Sequence, residues 1–147
     1  MDRKPKNIFL KGAIPPSQIA ESIQQHSTKL DIGGHSIFLG QVRADEKAEG
    51  IVTAIEYTAY EEMALEKMHE IREAVFEKYP LTCMHIFHSL GEVKAGEICL
   101  FVFTSSKHRK AATDARQELV ERIKAELPIW GKEITDMEQI FWKENKI

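Results

Sequence analysis

The stretch LTCMHIFHSLGEVKAGEICLFVFTSS, residues 81–106, decides the fold. Its two apolar runs, LTCMHIFHSL and EICLFVFTSS, read as strands, and the turn-rich GEVKAG between them closes a β-hairpin. A helical pattern flanks the hairpin on each side. From about Glu61 to Tyr79, Met63, Ala64, Met68, Ile71 and Val75 recur at helical spacing before Pro80 stops the run. From about Lys107 to Leu127, Ala112, Ala115, Leu119 and Ile123 mark one face before Pro128. Helices that alternate with hairpins can cover one face of a mainly antiparallel sheet, so the fold class is α+β.

Further out, HSIFLGQVR and IVTAIEYTAY read as two strands joined by the polar loop ADEKAEG, which predicts a second hairpin. On IVTAIEYTAY the alternation puts Ile51, Thr53, Ile55, Tyr57 and Ala59 on one face. A short strand around Asn7 to Leu10 leads through Pro15 and Pro16 into a helix that Ser17 can cap. Ile19, Ala20, Ile23 and Leu30 give that helix a partial apolar stripe, and Gly33 and Gly34 break it. The tail, IWGKEITDMEQIFWKENKI, reads as a loop and a short terminal strand.

Composition narrows the function classes. At 147 residues the chain has the size of one domain, 1–147, and 43% apolar with 29% charged residues is the mixture of an ordered globular protein. A net charge of -3 gives no global basic field for nucleic acid, so any anion site must be a local cluster. The basic N-terminus holds only Ile8, Phe9 and Leu10 as an apolar run, too short for a signal-peptide core. No stretch approaches the roughly 18 apolar residues of a membrane span. The cytoplasm is the expected address, with no membrane partner. Cys83 and Cys99 form no CxxC pair and lie in strand-like runs, where small buried hydrophobes are expected rather than reactive thiols.

The clearest local cluster is TSSKHRK, residues 104–110, where a strand gives way to a helix. Ser105 or Ser106 can cap that helix, its first N–H groups are free, and Lys107, His108, Arg109 and Lys110 add donors. Cations at a helix N-terminus oppose its dipole by a few tenths of a kcal/mol each, roughly, unless an anion offsets them. The alternative is a solvated basic first turn. Lys124 sits at the edge of the apolar stripe, where it can reach into a cleft or snorkel, and spacing favours snorkelling. Arg43 shares strand parity with Ile37, Leu39 and Gln41, while Phe38 and Val42 take the other face.

The segment PIWGKE offers Trp130, a flexible Gly131 and Lys132 in an expected loop. It is either a pocket rim for a flat heterocycle or a Trp that fills the core. His85 and His88, three residues apart in a strand, point to opposite faces, so joint metal ligation is not expected and no metal site is assigned. The acidic runs Glu61-Glu62 and Asp45-Glu46 read as solvated faces. No dinucleotide or P-loop motif occurs at a strand-to-helix turn, and no cofactor is indicated.

Five segments, FLGQVR (38–43), YTAYEEMA (57–64), HSLGEVKAGE (88–97), TSSKHRKAA (104–112) and RIKAELPIWGKE (122–133), in this order and spacing, resemble the molybdopterin synthase large-subunit family. The resemblance implies an α/β-hammerhead-type domain with an added, mainly antiparallel sheet. It implies a homodimer within a heterotetramer, whose ubiquitin-like small subunit inserts a C-terminal thiocarboxylate into a pocket of this chain. It also implies transfer of two sulfurs to cyclic pyranopterin monophosphate, which forms the molybdopterin dithiolene.

On the matching positions, Lys124 would be the main catalytic lysine. Arg43, His108 and Arg109 would hold the substrate's anionic part, the latter two from across a dimer, and Phe38 would line the pterin pocket with Gln41, Val42, Gly131 and Glu133 beside it. The family usually has Lys directly after this Trp, whereas here Gly131 intervenes. Lys132 is therefore expected to swing in as the second catalytic lysine, using the freedom that Gly131 gives the loop. Ser89 stands where family members usually have Arg after His88. The alternative to an enzyme is a non-catalytic module that binds a ubiquitin-like tail or a phosphorylated ligand. A phosphate-ester hydrolase lacks a credible nucleophile and base.

Overall fold

The computed structural model describes residues 6–137 and 140–143. The long hairpin forms as its sequence dictates, with β5 (Leu81–Lys94) antiparallel to β6 (Ile98–Ser106). β6 is buried on both faces, which is why it reads as an unbroken apolar run. Leu100 and Val102 enter the larger core, whereas Phe101 and Phe103 enter a second, smaller one with Ile14. GEVK belongs to β5 rather than to the turn. Beyond His88 the strand leaves β6 and pairs through Gly91–Lys94 with β4 (Gly50–Ala59).

The helices α2 (Glu61–Lys78) and α3 (Arg109–Glu126) bury Met68, Ile71 and Val75, and Leu119 and Ile123, in the larger core. Each such side chain contributes about 1.5–3 kcal/mol when fully removed from water. Met63, expected on the α2 stripe, is instead exposed. The α3 start is held by Ser106, two residues before the N-cap His108. Its Oγ accepts the Ala112 N–H at 3.0 Å and donates to the His108 carbonyl at 2.5 Å.

The expected hairpin of HSIFLGQVR with IVTAIEYTAY does not form. β2 (Gly34–Gln41) runs antiparallel to β6, from Gly34↔Ser106 to Gly40↔Leu100. Val42 then stays with the β5–β6 turn, donating its N–H to the Glu97 carbonyl and accepting from Gly96 N–H. β6, apolar on both faces, is thereby paired on both edges. The polar loop makes only a small hairpin of its own, β3 (Glu46–Lys47) with β4. A register shift between Val52 and Ala54 switches the buried face of β4, so Val52, Ala54 and Ile55 are buried and Ile51 and Thr53 are exposed.

β1 (Phe9–Lys11) runs parallel to β5 at His88–Leu90. α1 (Pro16–Gln25) starts with Pro15 as its N-cap and no side-chain cap, so Ser17 is not the cap. Leu30 lies beyond its end and is 92% exposed. The tail departs furthest from expectation. PIWGKE is a strand, β7 (Ile129–Thr135), held between β4 and β8 (Ile140–Trp142). Hydrogen-bonded neighbours then run β2-β6-β5-β4-β7-β8, with β1 on β5 and β3 on β4. The architecture is α+β with a mainly antiparallel sheet.

Candidate active site

Where β2 ends beside the last turn of α3, the strands enclose a cleft of about 520 Å³. Phe38, Gln41, Val42 and Arg43 border it from β2 and the following segment, and Lys124 from α3. Gly131 and Glu133 border it from β7. The structure thus brings together seven of the residues singled out in the sequence.

Phe38 forms a platform in this cleft. The Arg116 guanidinium lies 6.0 Å and the Lys124 ammonium 5.9 Å from its ring centroid. Positions 116 and 124 are two helical turns apart on one face of α3, which sets both cations over the same ring. Lys124 is exposed and reaches over the cleft rather than lying along the apolar surface. Arg43 is paired with Asp45 at 3.4 Å, and buried Glu133 with Lys47 at 3.4 Å. Both acids that line the cleft are therefore engaged with other cations.

Among the further residues that line the cleft, and that sequence reasoning did not assign to it, are Tyr57, His88, Cys99 and Lys143. Tyr57 donates its hydroxyl to Cys99 Sγ at 3.4 Å, and the thiol donates to the Gly40 carbonyl at 3.5 Å. Burial, first, and then the neighbouring Cys99 push the Tyr57 phenol up. Burial likewise pushes the Cys99 thiol up, against the opposing pull of Tyr57, Lys124 and Lys143. Both cysteines, Cys83 and Cys99, are buried, as small apolar side chains are. His88 is sealed against Tyr57 and Phe9, and burial lowers its pKa to about 4 despite the hydrogen bond it donates to the Ser89 carbonyl. Ser89 is fully buried, and its hydroxyl has no partner among the described residues.

Lys132 does not enter the cleft. Gly131 is a strand residue rather than a loop hinge, paired with Tyr57 in a closely packed ladder. A Cβ there would sit 2.9 Å from Ile55 Cγ2 and 3.2 Å from the Tyr57 ring. Strand alternation sends Lys132 to the other face, where its ammonium lies 5.5 Å from the Trp142 ring centroid. The lysine that does enter is Lys143. Lys132↔Trp142 is a register pair, so Lys143 is the next partner along, opposite Gly131 and on its face. Its N–H donates to the Gly131 carbonyl at 2.9 Å.

His108 and Arg109 also lie apart from this cleft. They are exposed at the first turn of α3, where Gly34 passes against the Arg109 backbone so closely that a Cβ would sit 3.1 Å from its Cα. Fifteen residues of helix separate Arg109 from Lys124, about 22 Å at 1.5 Å per residue.

The MoaE protein family model matches residues 13–126. The chain belongs to the MoaE family. A molybdopterin synthase catalytic subunit of Pyrococcus abyssi is 40% identical over 112 residues, which is 76% of this chain and 74% of that relative. The Bacillus subtilis protein of the same name is 37% identical over 114 residues, 78% of this chain and 72% of its own length. Some relatives are longer, and the match spans 56% of the Rattus norvegicus protein and 34% of the Drosophila grimshawi one. The crystal structure of molybdopterin synthase from Staphylococcus aureus superimposes with a TM-score of 0.81 at 31% identity, covering 92% of this chain and 95% of that one. The family match ends before β7, so Gly131 and Lys143 lie beyond the segment that assigns the family.

Proposed function

We propose that this chain is the catalytic subunit of a molybdopterin synthase, a sulfurtransferase that moves two sulfurs from a thiocarboxylated, ubiquitin-like small subunit onto cyclic pyranopterin monophosphate. The observation that carries this reading is the pair of ammonium groups, Lys124 and Lys143, that enter one cleft beside the Phe38 platform without a carboxylate partner among the described residues. A thiocarboxylate and a phosphorylated substrate are both anionic. Holding them together requires preorganised positive donors in a partly desolvated site.

In this reading Lys124 is the main catalytic lysine, beside the carrier terminus, where it polarises the reacting carbonyl and supplies protons to leaving groups. Lys143 replaces Lys132 as the second lysine and neutralises the second anion. Phe38 receives the flat pterin, and Arg43 exchanges Asp45 for the substrate's anionic part. His108 and Arg109 are too far along α3 to serve the same chain's cleft, so they serve that of a second copy. A homodimer with a small subunit at each end, working in the cytoplasm, satisfies these requirements.

The direct test mixes the purified chain with thiocarboxylated carrier and pterin precursor and follows dithiolene formation. Product at catalytic turnover is expected. Carrier binding without product would replace the enzyme with a binding module, and absence of carrier binding would remove the reading altogether.

A further inference from the structure

β5 alternates. Met84, Ile86 and His88 face the larger core and the cleft, while Cys83, His85 and Phe87 face the side occupied by α1. On that second side, His26 at the C-cap of α1 meets the strand, and the ligand atoms of His26, Cys83 and His85 all lie within 4.8 Å of one another. We propose that His26, Cys83 and His85 form a three-ligand site for a divalent cation of the zinc class, separate from the cleft.

Four features of the geometry support this. Cys83 and His85 are two apart on one strand, so both project toward the same point. The His26 ring is fixed by the hydrogen bond of Nδ1 to the Ser22 carbonyl at 2.6 Å. With the proton assigned to Nδ1, Nε2 carries the lone pair, which accepts from His85 Nε2–H and would turn to the cation on binding, as second-shell carbonyls orient metal-binding imidazoles. His85 Nε2 stands 3.0 Å from His26 Nε2, the rings being nearly perpendicular at 87°. His26 and Cys83 are buried while His85 is half-buried, so the cluster is enclosed yet open on one side for a water as fourth ligand.

Two imidazoles and one thiolate make a borderline donor set that suits Zn²⁺ rather than the oxygen-seeking Mg²⁺ or Ca²⁺. The Lys29 ammonium donates to Cys83 Sγ at 2.8 Å. Lys29 is exposed, so it can turn out into solvent when the cation takes the sulfur. Binding releases the thiol proton.

The test is a titration of the metal-free full chain with Co²⁺ as a spectroscopic substitute, followed by competition with Zn²⁺. One equivalent should bind with a sulfur-to-cobalt charge-transfer band, and zinc should displace it at one ion per chain. Cys83→Ser should abolish that band. Each of Cys83→Ser and His85→Gln should weaken binding by more than the roughly 10- to 100-fold that loss of an outer-shell partner costs. His69→Gln, on α2, should leave binding unchanged, and circular dichroism checks that each variant is folded. Absence of stoichiometric binding or of the charge-transfer band in the wild type overturns the proposal and leaves a hydrogen-bonded histidine pair. Binding that persists in both ligand variants overturns it equally.

Discussion

Lys132 and Lys143 flank Gly131, one along the strand and one across it, and only Lys143 faces the cleft. Sequence distance favours Lys132, while the pleat favours Lys143. His88 is the second residue whose behaviour follows from place rather than type. Its imidazole is enclosed by Tyr57 from β4 and Phe9 from β1, and the Lys124 charge from α3 adds to the burial that lowers its pKa to about 4 from 6.5. Above pH 6.5 both the folded and unfolded chains hold it neutral, and it contributes no pH dependence. As pH falls from 6.5 toward 4, the unfolded chain takes up a proton that the folded chain refuses. Stability therefore declines across that window, by roughly 3 kcal/mol at 1.36 kcal/mol per unit, and levels off below it. Urea unfolding of His88→Gln across pH 4–7 should show a shallower acid loss than the wild type. Equal slopes would mean that the imidazole is not held neutral.

At the scale of elements, β7 positions the cleft because it is clamped on both edges. A side chain at Gly131 would press on Ile55 and the Tyr57 ring, so Gly131→Val should destabilise the fold by about 1–3 kcal/mol in a denaturant titration. A variant as stable as the wild type would show that the ladder can part there. The long hairpin and α2 and α3 were legible because their periodicities are local and their stops, Pro80 and Pro128, are in the chain itself. The partner of β2 was not, since pairing with β6 depends on what a strand buried on both faces needs at its edges. β7 reads as a loop in the sequence for a similar reason. Pro128, Gly131 and a Trp resemble a loop until β4 and β8 supply its hydrogen bonds. The site divides the same way. Phe38, Arg43 and Lys124 follow from the resemblance and line the cleft, whereas Tyr57, His88 and Cys99 come from three strands, Lys143 follows β8, and the four share no spacing. The His26, Cys83 and His85 cluster has no local spacing, because His26 lies at the C-cap of α1 and only the fold brings it to β5.

At the scale of the whole molecule, one helix carries cationic groups at both ends, about 22 Å apart. If His108 and Arg109 serve a second copy's cleft, Arg109→Ala and Lys124→Ala chains should each be nearly inactive alone and recover when co-assembled. A mixed dimer contains one cleft with both residues intact, so random assembly should restore about a quarter of wild-type turnover. No recovery would place both groups on one chain's site or remove Arg109 from it. If Lys124 and Lys143 together hold and activate the two anions, dithiolene formation by reconstituted Lys143→Ala and Lys132→Ala chains separates the two lysines that flank Gly131. Lys143→Ala should lower turnover by about 10²-fold while Lys132→Ala stays near wild type. Loss of turnover in Lys132→Ala with full activity in Lys143→Ala would contradict the account.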